Sequence, residues 1–242
     1  MNKGFSLIEL SIVLVILGLL TGGILTGQNL IRAAELRSIT TSMQSYQTAT
    51  YSFRDKYLAL PGDMRNATDF WSDAVNGDGD GQIEPATSDG GDGEMFGFWE
   101  QLALSGLIEG SYSGASGDGG AGLQDAVIGT NVPAGKISSS GWTMLYVGTV
   151  ASGDTDYFAG NYGNAFIYGT KLTDDVTGGA VIKPEEAWNV DTKIDDGKPE
   201  QGKIRGYENL SAADATACSN TATSDYSLTN EAIECALIFT NM

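Results

Sequence analysis

The densest set of chemically capable side chains lies in the run Asn76-Gly77-Asp78-Gly79-Asp80-Gly81-Gln82-Ile83-Glu84, where side-chain oxygens recur at every second position. A hard cation such as calcium takes roughly six to eight oxygen ligands, and glycine at the sixth place of a loop permits the sharp turn that brings them together. Asn76, Asp78, Asp80, Gln82 and Glu84 are therefore the candidate metal ligands, with Gly81 at the sixth place and the apolar Ile83 at the eighth. The twelfth place holds Thr87 instead of a bidentate glutamate, and Pro85 argues against a following helix, so a complete EF-hand is not expected. A looser calcium loop, completed by Glu84, Asp89, Asp92 or Glu94, stands against the plainer alternative of a solvated acidic loop. A second acidic group, Asp191, Asp195 and Asp196, has Lys193 among it and reads more as a turn, with a metal site as the alternative.

The chain has no histidine among its 242 residues, which removes Ser-His-Asp and Cys-His catalysis and the usual zinc ligand sets. Carboxylates are abundant, but they sit in Gly/Asp turns with no nucleophile motif, so no enzyme is expected. The net charge of −18, with 13 scattered Lys and Arg, also argues against general nucleic-acid binding. Two cysteines, Cys218 and Cys235, are spaced so that a disulfide would contribute about 3 kcal/mol in an oxidising compartment. Two reduced, buried thiols are the alternative.

Glu9 is chemically the oddest residue. It stands at the front of Leu10–Ile31, an uncharged segment whose length as a helix, about 33 Å, is enough to cross a bilayer core of roughly 30 Å. A charged side chain there costs roughly 2.5 kcal/mol or more. No proline follows until Pro61, and Leu36, Ile39, Met43, Tyr46, Thr50, Phe53 and Tyr57 recur at steps of three and four. The helix is therefore expected to outlast the membrane segment and to press one stripe against a partner. Gly18, Gly22, Gly23 and Gly27 weaken its membrane half by up to about 1 kcal/mol each.

Gly4-Phe5-Ser6-Leu7-Ile8-Glu9, preceded by a short leader with Lys3 and followed by the apolar helix, resembles the processing motif of type IV pilins and type II secretion pseudopilins. That resemblance implies cleavage by a prepilin peptidase between Gly4 and Phe5, methylation of the Phe5 amine, and a role for Glu9 in attracting the terminal amine of a neighbouring subunit during assembly. It implies a structural subunit of a helical homo-oligomeric filament, held in the bacterial inner membrane with a periplasmic domain and then displayed at the cell surface. A pseudopilin or minor pilin of a secretion machine, and a calcium-dependent adhesin on a pilin stem, are the alternatives. The match departs from the family in one respect: the proline often found late in the apolar segment is replaced by about Thr26.

The expected organisation is a leader at 1–4, an N-terminal helix at 5–57 and a globular domain at 58–242. The fold class is α+β, a long N-terminal helix, half transmembrane and half amphipathic, packed on an antiparallel sheet of four or five strands. Candidate strands are GWTMLYVGTV, YFAGN and NAFIYGTKL about a Gly-Asn turn, KIRGYENL and AIECALIF. MFGFWEQLALSGLIEG reads as a short helix ended by Gly106 or Gly110, and PEEAWNV as a helix opened by Pro184. In pilins a cysteine pair placed like Cys218 and Cys235 often closes a C-terminal loop, and the resemblance carries that pairing over to this chain.

Overall fold

A computed structural model describes residues 6–85, 93–117, 124–152, 154, 157–207, 218–220 and 225–240. With no proline to interrupt it, the N-terminal sequence forms one helix, α1, over Leu7–Tyr57, 51 residues or about 76 Å at the helical rise. Leu58 ends it in a left-handed conformation, φ 57°, with its N–H donating to the Arg54 carbonyl at 2.8 Å. The two halves of α1 meet different surroundings. None of the apolar window near its start is buried, whereas Ile39, Met43, Ala49, Thr50 and Phe53 are buried and Leu36, Tyr46 and Tyr57 pack against the core. The expected stripe is therefore the face that α1 turns to the globular part.

That face lies on a four-stranded antiparallel sheet built from β1 (Ser140–Val150), β2 (Gly160–Thr170), β3 (Ile204–Tyr207) and β6 (Ala236–Phe239), in the order β1-β2-β6-β3. Register aligns Met144 with Phe166 and Phe166 with Phe239, so apolar side chains stack across three strands. Tyr46 of α1 enters this cluster edge-on, its ring 4.9 Å from Trp99 and 5.7 Å from Trp142. The sequence reading placed a Gly-Asn turn where β2 is in fact one continuous strand. Gly163, at φ +56°, faces Gly148 across a register shift in β1, so the glycines form a bulge and the chain does not turn back.

Helix α2 (Glu94–Leu104) forms where the short helix is expected, but every residue from Glu94 to Leu102 is buried, Phe96 included. Its partner surfaces therefore surround it on more than the single face that Met95, Phe98, Trp99 and Leu102 define. Gly106 continues the chain beyond its end at φ +73°. Pro184 opens α3 (Pro184–Ile194) in its first turn, and Glu186 accepts the Lys183 N–H at 3.0 Å. Arg32 reaches across from α1 to grip both oxygens of Glu186, each at 2.6 Å. A two-stranded ribbon, β4 (Ser219–Asn220) and β5 (Asp225–Tyr226), completes the domain. A Cys218–Cys235 disulfide fastens that ribbon to the residue before β6 and excludes the two-thiol alternative.

Candidate functional site

Three chain segments converge beside the C-terminal end of α1: the exit at 58–65, the acidic loop at 75–84 and the first turn of α2. Two glycines make this convergence possible. A Cβ on Gly62, φ +85°, would lie 2.4 Å from the Glu94 carbonyl oxygen, and one on Gly77 would lie 2.4 Å from the Asp63 Cα. The segments therefore approach backbone to backbone. Gly77 N–H donates to the Met64 carbonyl at 3.0 Å and Met95 N–H to the Glu84 carbonyl at 3.1 Å. Gln101 bridges the other side, accepting the Gly62 N–H and donating to the Val75 carbonyl, both at 2.8 Å. Buried Ile83 anchors the loop against the edge strand β1, and its carbonyl accepts the Tyr146 N–H at 2.7 Å.

The convergence gathers carboxylates. Asp63, Asp78 and Glu94 each offer an oxygen within 4.8 Å of the others, and Asp78, Asp80 and Glu84 form a second such group that shares Asp78. Asp63 is only 4% exposed and Glu94 only 1%, while Asp78 and Asp80 are exposed. Glu94 accepts the Asp78 N–H at 2.9 Å on one oxygen and the Glu84 N–H at 3.3 Å on the other. Asp63 accepts the Gly81 N–H at 3.0 Å through Oδ2, whereas its buried Oδ1 has no hydrogen-bond partner. Burial pushes the Glu94 carboxyl up to about 7 against the pull of those N–H donors, with the Asp63 and Asp78 charges adding to the rise. Asp63 and Glu84 are also raised, first by burial and then by neighbouring acids.

The five candidate ligands are thus divided. Asp78, Asp80 and Glu84 come together, while Asn76 is occupied by Thr68, accepting its N–H at 3.0 Å and donating to its hydroxyl at 3.1 Å. Gln82 donates to the Asp80 carboxylate at 2.6 Å. Asp89 and Asp92 lie outside the described residues. Asp63 is the residue that sequence reasoning missed. Its only local signal is the turn Pro61-Gly62-Asp63, and its distance from the loop in sequence hides their contact. The Asp191, Asp195 and Asp196 oxygens also cluster. There, however, Tyr226 and the Gly197 N–H bond Asp191, the Lys203 and Ile204 N–H groups bond Asp195, and the Lys198 N–H bonds Asp196, as a turn requires.

At the opposite end of the molecule, Ser6 precedes α1 in extended conformation and its N–H donates to Glu9 Oε2 at 2.8 Å. Gly4 and Phe5 lie outside the described residues. The first turn is thereby closed by the side chain that the membrane should least favour. Residues 1–25 match the family described as the prokaryotic N-terminal methylation motif, the signature of type IV pilins and pseudopilins. No curated protein and no solved structure matches the chain.

Proposed function

We propose that this chain is a structural subunit of a type IV pilus-like filament, processed by a prepilin peptidase between Gly4 and Phe5 and polymerised through α1. The observation that carries the reading is the division of α1 into an unburied apolar half and a half seated on the head. Fifteen large apolar side chains from Leu7 to Ile31 are exposed. At on the order of 1 kcal/mol each for partial burial, their exposure to water would cost as much as the whole stability of a typical domain, about 5–15 kcal/mol. Lipid before assembly, and the neighbouring helices of a filament afterwards, remove that cost. The methylation motif selects the same segment.

In this scheme Glu9 pairs with the methylated Phe5 amine of an adjacent subunit, because a carboxylate in an apolar bundle is costly alone and much less so beside a cation. The head, residues 58–242, faces the periplasm and then the outside, and the pilus or secretion assembly machinery is its further partner. The acidic loop carries calcium, which relieves its repulsion and raises the melting temperature of the head. Equal melting midpoints with calcium and with chelator would remove calcium from the scheme.

Mass spectrometry of the N-terminal peptide from sheared surface filaments and from membranes tests the scheme. A peptide beginning at methylated Phe5 and abundant in the sheared fraction is expected. Confinement of that peptide to membranes would move the assignment to a pseudopilin or minor pilin, and an intact Met1 in both fractions would overturn it.

A further inference from the structure

We propose that one calcium ion is held on the buried side of the acidic loop by Asp63, Asp78 and Glu94, clamping the exit of α1 to the first turn of α2. This deepens the calcium reading of the 76–84 loop by moving its centre inward, and it is independent of filament assembly. The sequence places the ligands along the loop at alternate positions; the structure instead draws one each from three segments. Their oxygens lie within 4.8 Å of one another. Oxygens held that close can share one calcium shell, whose bonds of about 2.3–2.6 Å span up to about 5 Å.

The second observation is the orphaned oxygen. Asp63 is buried, with 4% of its surface exposed, and Oδ1 is without a hydrogen-bond partner although its twin is bonded. A buried carboxylate oxygen left unsatisfied is costly, so native structures supply it with a donor, a water or an ion. The Gly79 N–H also acts on this carboxylate, but the side chains gathered beside it, Asp78 and Glu94, are themselves acceptors. Among the described residues no Lys or Arg forms an ion pair with Asp63, Asp78 or Glu94. The nearby Arg65 guanidinium donates to the Asp78 and Gly79 carbonyls. A divalent cation satisfies the orphan and neutralises most of the charge together, while Asp80 and Glu84, grouped with Asp78, stand on its solvent side.

The test is equilibrium dialysis of radioactive calcium against the full chain in detergent micelles, after chelator treatment, with magnesium as competitor. Wild type is expected to bind one calcium per chain. Asp63→Asn and Glu94→Gln should each weaken binding about tenfold or more, and Asp80→Asn and Glu84→Gln less than about threefold. The reverse order would keep calcium on the loop and overturn the buried clamp, whereas no binding by wild type would overturn both. If the buried variants fail to fold, hydrogen exchange on wild type decides. Calcium should protect amides at 62–64 and 93–97 along with the loop, and protection restricted to 80–84 would refute the clamp.

Discussion

Truncating Phe53 should loosen the stem from the head at a cost set by the burial of its ring. Its side chain is fully buried, with its ring 4.5 Å from Tyr57 and 6.3 Å from Trp71. Phe53→Ala removes that burial and leaves a cavity between α1 and the loop that follows it, so about 3–5 kcal/mol should be lost. With an urea m-value of about 2–3 kcal/mol per molar, the unfolding midpoint should fall by about 1–2.5 M. Tyr51, two residues earlier and 40% exposed, is the control, and Tyr51→Ala should cost less than about 1 kcal/mol. The assay is urea unfolding of the full chain in detergent at fixed calcium, followed by tryptophan fluorescence, since Trp99 and Trp142 lie in the core that α1 covers. A loss below about 1 kcal/mol for Phe53→Ala, or equal losses for the two variants, would refute the assignment of this stripe as the docking face.

Replacing both Cys218 and Cys235 by serine should lower stability by about 3 kcal/mol, because the bond closes a short loop and fastens strands of only two residues; thermal unfolding checks this, and a change under about 1 kcal/mol would contradict it. Glu186 should contribute an acid-sensitive step: burial works to raise its carboxyl, but the Arg32 hydrogen bonds and the Lys183 N–H hold it below the ordinary 4.5. Its stabilisation is therefore present above the unfolded value and lost as pH falls through the folded one, so the stability gap between wild type and Glu186→Gln should shrink below about pH 4.5; a constant gap would be incompatible with that linkage. Asp191 should act in the opposite sense, since burial pushes it from 3.8 up to about 7. Its favourable contribution is complete below 3.8 and is lost as pH rises through about 7, so Asp191→Asn should gain stability relative to wild type between pH 5 and 8 in urea titrations, and parallel pH profiles would show otherwise.

What was legible in the sequence follows from how local each signal is. The α1 stripe could be read because a helix repeats its contacts every three or four residues, and Ile39, Met43, Thr50 and Phe53 all face inward as their spacing requires. Pro184 marked the start of α3 for the same reason: its fixed backbone suits a first turn wherever the helix packs. Gly163 deceived because glycine serves bulges as well as turns, and only its pairing with Gly148 across the strands distinguishes them. Asp63 was hidden more deeply. Its approach to Asp78 depends on Gly77 meeting the Asp63 backbone, a contact with no trace in the spacing of either segment. Alternation within the loop therefore announced the acids but not which of them would face inward.

The two halves of α1 solve the same problem, a polar group in poor company, by different means. In the apolar half the hydroxyls turn back on the helix: Ser11 donates to the Ile8 carbonyl at 2.9 Å, Thr21 to that of Leu17 at 2.9 Å and Thr26 to that of Gly22 at 3.0 Å. They need nothing from outside, which suits lipid. Glu9 is treated differently. The Ser6 N–H supplies a bond at the N-terminal end of the helix, where the dipole suits an acceptor. A carboxylate has room for about four such bonds, however, and one N–H fills only part of that capacity. The helix terminus thus gives Glu9 one partner while leaving it able to accept a cation. Glu9→Gln would keep an acceptor for the Ser6 N–H but remove the charge. On the assembly scheme proposed above, the monomer should therefore insert in the membrane normally while filaments are lost from the sheared fraction, and filament yields equal to wild type would show that assembly does not need the charge.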